Sequence, residues 1–500
     1  MPHNRVIVVG AGVAGLASAL LLAHRGAEVT LVERAGGPGG KMRQVEVGGR
    51  QLDAGPTVFT MRWVFDEILA DVGTTLEEHL TLRPLEVLAR HAWSEDERLD
   101  LYADKARSAE AIGEFAGAGE ARRFREFCKA ARGIYQTLER PFLRTARPTP
   151  VGLVRSVGPL GLADLWRIRP FDTMWDALAT HFRDPRLQQL FGRYATYCGS
   201  SPFLAPATLM LIAHVEQEGV WTVEGGMHQT AVALARLAVS KGAVCRYRTE
   251  ATKILTDGRR ARGVALSSGE VLEADAILVN ADAAAIASGN FGEAVRGAVP
   301  PIPHAGRSLS ALTWCLTAET EGFPLLRHTV FFSRDYPAEF DAIFQRSRLP
   351  SEPTIYVCAH DRTDCDHDQP HGRERLLCLA NAPAIGDTHS FDSAEIEQCE
   401  MRAFSLLERC GLHVRRRPEA RVITTPTDFH RLFPATGGAL YGQASHGWRA
   451  SFRRPGTRTR LQGLYLAGGS VHPGAGVPMA ALSGRLAAEC VLSDLVSTRR

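Results

Sequence analysis

Charge of either sign in excess is missing from this chain. Lys and Arg number 58 against 55 Asp and Glu, leaving a formal net charge of +3 across 500 residues. That balance excludes a surface built mainly for nucleic acid. Cysteine occurs ten times, yet with no C-x-x-C pair and no regular spacing, and no secretory signal is read. Free thiols in a reducing cytoplasm are therefore expected, rather than a disulfide framework. No internal repeat or low-complexity tract appears, and no Ser/His/Asp set, paired carboxylates or metal signature stands out. The densest group of possible ligands is His360, Asp361, Asp364, Cys365, Asp366, His367, Asp368 and His371. It lacks zinc-type spacing, and its crowded acids predict a solvated loop with no metal. Residues 6–23 form one long apolar run that has the length of a membrane span. Three glycines in its first half argue against a span, and a strand followed by a helix accounts for every position.

What is present starts with Arg5 to Lys41. Val6-Ile7-Val8-Val9 reads as a buried parallel strand and feeds into Gly10-Ala11-Gly12-Val13-Ala14-Gly15. In a dinucleotide fingerprint Gly10 permits the tight turn and Gly12 admits a pyrophosphate. Gly15 lets the helix pack on its strand, and that helix aims its free N–H groups at the phosphates. A second strand, 28–32, ends at Glu33, whose carboxylate suits both ribose hydroxyls and repels a 2′-phosphate. Strand, glycines, helix, strand and acid all occur in one unit, as the motif requires.

A second glycine-rich loop, residues 36–40, ends at Lys41, a cation available to a phosphate; alone, it would pass for a flexible turn. Asp53 either bonds a ribityl chain or caps a helix starting near Arg62. Residues 105–220 read as helical. Within them, 151–175 is apolar and carries Trp166, Trp175, Arg155, Arg167 and Arg169. Such a mix suits a membrane interface or an internal packing segment. Gly225 and Gly226 open an amphipathic helix, and Ala276–Val279 is a buried strand ending in the turn Asn280-Ala281-Asp282. Residues 305–435 alternate strand and helix. Near the end, Leu464 to Ala467 is strand-like, followed by Gly468, Gly469, Gly474 and Gly476, with a helix from Val477. Pro478 is tolerated at that early position, and the helix N-terminus suits the pyrimidine edge of a flavin.

These motifs together resemble the bacterial carotenoid desaturases, phytoene-desaturase-like flavoproteins of the amine-oxidase and glutathione-reductase type. The resemblance spans nearly the full length. It rests on residues 6–33, GGPGGK at 36–41, LDAGPTV at 52–58 and VEGGM at 223–227. NAD at 280–282, GGALYG at 437–442 and 463–488 complete it. The ending GVPMAALSGRLAA is more similar to the 1-hydroxycarotenoid 3,4-desaturases than to the phytoene desaturases.

The resemblance implies an α/β fold: a Rossmann-type FAD-binding domain, a discontinuous α+β substrate domain and a helical membrane-associating region. The corresponding division is 1–90, 225–305 and 440–500 for FAD, 91–224 for the helical region, and 306–439 for substrate. Implied cofactor contacts are Gly10, Gly12, Gly15, Glu33, Gly40, Lys41, Gly468, Gly469, Gly476, Val477, Pro478 and Met479. The implied activity is hydride transfer from an acyclic C40 carotenoid to FAD with loss of a proton from the neighbouring carbon, and oxygen or a quinone as final acceptor. Peripheral attachment to the inner face of a bacterial membrane follows from where such a substrate dissolves. The polyene delocalises developing charge, so orientation and dryness are the main demands on the protein. His472 is the titratable candidate near the flavin, or else a histidine held by the turn before Pro473. An amine oxidase or a polyene saturase or isomerase would share the fold. Residues 463–488 hold no cysteine to tether a flavin, so FAD is expected to bind non-covalently. A lipid-binding escort of this fold would have no use for the flavin glycines.

Overall fold

The computed structural model describes residues 4–157, 165, 167–364, 370 and 372–497; Trp166 lies outside them. Strand Arg5–Val9 is the middle of a five-stranded parallel sheet. Its order is 464–466, 276–279, 5–9, 28–32, 244–246. The chain thus leaves this domain and returns twice to complete the sheet. Four-residue strand Ala276–Val279 is wholly buried, as a strand covered on both faces must be.

Helix Val13–His24 follows the first strand, and every residue from Val13 to Ala23 is buried. Apolar all round, it is a core helix rather than a surface one. Helices His228–Ser240 and Val477–Ser497 flank it. The crossing with the C-terminal helix is very close. A Cβ on Gly484 would stand 2.3 Å from the Ala14 carbonyl oxygen. Ser18 Oγ bridges the two helices, 2.9 Å from the Ala14 oxygen and 2.8 Å from the Gly484 oxygen.

A second, mostly antiparallel sheet of eight strands is built on the long strand Ser310–Gly322. Helix Ser393–Arg409 covers one face through Phe404 and Leu407 against Trp314. Strands Val87–Ala92 and Arg98–Tyr102 form the far edge, the first pairing with His328–Phe331. The expected boundary at residue 91 therefore falls inside a strand, because hydrogen-bond partners decide its layer, not sequence position. The described residues between 105 and 217 are helices and loops packed around Phe124, Phe127, Phe182 and Phe191. Val330 and Phe332 of the sheet join that cluster, so helices and sheet share one core.

Candidate functional site

One cavity of about 1050 Å³ runs from the fingerprint loop into the helical layer. Gly10 and Gly12 line its first end with Val13 and Ala14, the first turn of the core helix. Gly15 does not line it. A Cβ there would stand 2.1 Å from the Gly10 oxygen, so Gly15 serves the fold of the loop. Glu33 lines the cavity with both oxygens anchored, Oε2 accepting from Ala11 N at 2.7 Å and Oε1 from Ala35 N at 2.8 Å. Each oxygen keeps capacity for a further hydroxyl donor. Gly40 stacks against this loop, its hypothetical Cβ 3.2 Å from Gly12 Cα. The shape is a cradle that any side chain would fill, and it fits a dinucleotide.

Lys41 also lines the cavity, but its ammonium donates to the Leu440 carbonyl at 2.5 Å and lies over the Phe433 ring. Burial lowers its pKa, against the opposing pull of Asp282. Asp53 neither caps the helix at Arg62 nor lines the cavity. That helix has no side-chain cap, and Asp53 instead accepts from Met227 N at 2.5 Å, at the start of His228–Ser240.

At the other end of the cofactor region, Gly468, Gly469 and Gly476 line the cavity, followed by Val477, Pro478 and Met479. The N-terminus of Val477–Ser497 thus faces it, with its free backbone donors. Two residues organise this end that sequence reasoning did not single out. Asn280 Oδ1 accepts from Gly15 N at 3.0 Å, and its Nδ2 donates to the Ala467 oxygen at 2.9 Å. Arg454 donates to the carbonyls of Tyr441, Gly469 and Gln443 at 3.1, 3.0 and 2.6 Å. Asn280 was visible as part of a turn; Arg454 had no local signal.

His472 is absent from the cavity wall. Its Nε2 lies 2.9 Å from the Phe142 oxygen and its ring packs edge-on to Phe142. Burial lowers its pKa to about 4. The neutral ring donates Nε2–H to that carbonyl, the arrangement of a histidine held structurally by its turn. The acid-rich segment is likewise not a free loop where it is described. His360 is half-buried, Asp361 pairs with Arg375 at 2.6 Å and Arg50 at 3.2 Å, and Asp364 accepts from Glu86 N. Cys365, Asp366, His367, Asp368 and His371 lie outside the described residues. Among the described residues no group of three metal-ligating side chains gathers.

Beyond the cofactor loops the walls turn apolar, with Leu138, Phe142, Leu153, Ile168, Leu209 and Ile212. At the mouth Val154, Phe171 and Trp448 are 47%, 63% and 37% exposed, and the last two rings meet at 5.5 Å. Of the residues 151–175 expected at an interface, Trp175 turns inward onto Phe203 at 4.5 Å. Arg169 pairs with Asp172 at 2.5 Å. Trp175 thus follows the internal-packing alternative, and the exposed tryptophan beside the cavity is Trp448, from a distant segment. Two polar groups interrupt the apolar wall. In one, Arg193 donates to Tyr197 Oη at 3.1 Å, and Tyr197 and Tyr194 donate to the buried Glu216. In the other, Tyr356 Oη lies 2.6 Å from Thr57 Oγ1 and 2.7 Å from His328 Nδ1.

Residues 13–492 match the family described as flavin containing amine oxidoreductase. Over 500 residues, 99% of this chain and 95% of the relative, the chain is 58% identical to hydroxyneurosporene desaturase of Rubrivivax gelatinosus. It is 46% identical to the enzyme of the same name from Cereibacter sphaeroides, covering 99% of each chain. With the zeta-carotene-forming phytoene desaturase of Myxococcus xanthus it shares 31%, over 98% of this chain and 94% of that one. In fold it is similar to an oxidoreductase from Methanosarcina mazei, with a TM-score of 0.61 at 16% identity, covering 97% and 100% of the two chains. Wild-type putrescine oxidase gives a TM-score of 0.60 at 15% identity, covering 99% of each. No described helix is long and apolar enough to cross a membrane.

Proposed function

The chain belongs to the flavin-containing amine oxidoreductases, and from that premise we propose an FAD-dependent carotenoid desaturase of carotenoid biosynthesis. Its substrate is a 1-hydroxylated acyclic C40 carotenoid of the hydroxyneurosporene type, desaturated at C-3,4. The observation that carries this reading is the single cavity joining dinucleotide loops to a long apolar slot. Similarity to the hydroxyneurosporene desaturases over the whole chain supports the substrate class.

Bound FAD supplies the hydride acceptor. The protein supplies the rest: Gly12, Gly40 and Glu33 would hold the ADP portion, and the N-terminus of Val477–Ser497 would favour negative charge on the flavin. Walls of Leu and Phe side chains exclude water and keep the polyene straight beside the cofactor, which is most of the catalysis an already delocalised charge requires. The bare apolar mouth, with Arg449 over the Trp448 ring and exposed Arg155 nearby in sequence to Val154, docks on the inner face of a bacterial membrane. Electrons pass onward to oxygen or a membrane quinone.

The test supplies phytoene and 1-hydroxyneurosporene separately to FAD-loaded enzyme on liposomes, with product absorption as readout. The hydroxylated pigment gains one conjugated double bond in the expected result. Preference for phytoene overturns the substrate, and turnover of neither overturns the desaturase.

A further inference from the structure

An apolar slot has no reason to hold a guanidinium, yet Arg193 lines this one. Its guanidinium is set among the hydroxyls of Tyr197, Tyr336 and Tyr356, with Glu216 the nearby carboxylate that feels its charge, and it lies 5.4 Å from the centre of the Tyr356 ring. The hydrogen bond it makes is from Nη1 to Tyr197 Oη. Tyr197 passes its own proton toward Glu216 at 3.2 Å, and Glu216 also lines the cavity. A strong donor and a carboxylate acceptor are thus presented together in an otherwise greasy wall.

Their position matters as much as their chemistry. Arg193 opens the short turn Arg193–Cys198, capped by Gly199, where a Cβ would stand 2.4 Å from the Tyr441 ring; the Tyr441 carbonyl shares Arg454 with that of Gly469. Arg193 therefore sits at the flavin end of the slot, not at the mouth. A hydroxyl oxygen on C1 is four bonds from C4, about 5 Å at ordinary bond lengths. A substrate reacting at C-3,4 must accordingly place its hydroxyl close beside the cofactor. The outer slot, lined by Leu153, Ile168 and Leu209, presents no charged donor among these residues.

Resting on the desaturase reading above, we propose that Arg193, braced by Tyr197 and Glu216, is the subsite that receives the C1 hydroxyl. The guanidinium donates to the hydroxyl oxygen, and the Tyr197–Glu216 pair fixes the guanidinium in place. A plain hydrocarbon end offers no acceptor and leaves a desolvated cation without its partner, which is how a hydroxylated substrate is told from its parent.

The ratio of kcat/KM for 1-hydroxyneurosporene over neurosporene is the measurement, made on wild type, Arg193→Met and Glu216→Gln, each checked for stoichiometric FAD. Wild type prefers the hydroxylated pigment. Arg193→Met lowers the ratio about 10- to 100-fold, the range of a lost charged hydrogen bond, and Glu216→Gln lowers it less. Should Arg193→Met fail to load FAD, Tyr197→Phe replaces it and lowers the ratio several-fold. An unchanged ratio in FAD-loaded variants, with wild-type preference intact, overturns the subsite alone. Collapse of the ratio in His328→Leu but not Arg193→Met does the same and moves recognition to the Thr57–Tyr356–His328 chain. No preference in wild type overturns the substrate reading, and the subsite with it.

Discussion

Asn280 spends both ends of its amide on main chain, one on the fingerprint helix and one on the C-terminal strand. Removing it leaves the Gly15 N–H and the Ala467 carbonyl without partners in a part-buried site. Asn280→Ala is expected to cost about 1–3 kcal/mol and to weaken FAD retention, read by flavin release during denaturant unfolding. The sequence shows why some residues were foreseeable and this one was not. Glu33 sits at a fixed spacing from the glycines, within one βαβ unit, so its role is written locally. Asn280 acts on partners 265 and 187 positions away, and nothing near it in sequence marks that. His472 is the opposite case, a titratable side chain inside a flavin motif that turns its back on the cavity to hold Phe142. Proximity in sequence to a cofactor loop says nothing about which way a side chain points.

The elements of the cofactor domain were readable because each has one period and a clear stop. Apolar runs at 5–9, 276–279 and 464–466 are strands too short and too uniformly buried to be anything else. Pairing was not readable for Val87–Ala92, whose neighbour His328–Phe331 is more than two hundred positions on. The crossing of the first and last helices is a consequence of pattern and of one missing side chain. With a Cβ at 484 already 2.3 Å from the Ala14 oxygen, a branched residue has to push the helices apart. Gly484→Val is expected to destabilise by about 3 kcal/mol or more. Thermal unfolding followed by circular dichroism, together with flavin content after purification, checks it. The first and last motifs should fail together, because the phosphate loop is carried on the displaced helix.

For the whole molecule the decisive feature is that cofactor loops and apolar slot are one space, which opens at a mouth in the helical layer. The mouth brings Phe171 and Trp448 together from segments almost three hundred residues apart, which is why only half of it was foreseen. A double variant, Phe171→Glu with Trp448→Glu, puts charge where apolar rings are proposed to enter lipid. Sedimentation with anionic liposomes is expected to pull down wild type and leave the variant in the supernatant. Its turnover of detergent-dispersed substrate should persist, because neither ring belongs to the cofactor end. Equal sedimentation of both proteins would remove the mouth from any role in docking.

Once the dinucleotide occupies the far end of that space, a rigid rod can be threaded only terminus first. The trailing half of the pigment then stays away from the cofactor end, and its chemistry goes unread. One catalyst of this shape accepts a whole series of pigments that share a single terminus. It makes lopsided products first, and a molecule altered at both termini has to be let go, turned round and caught again.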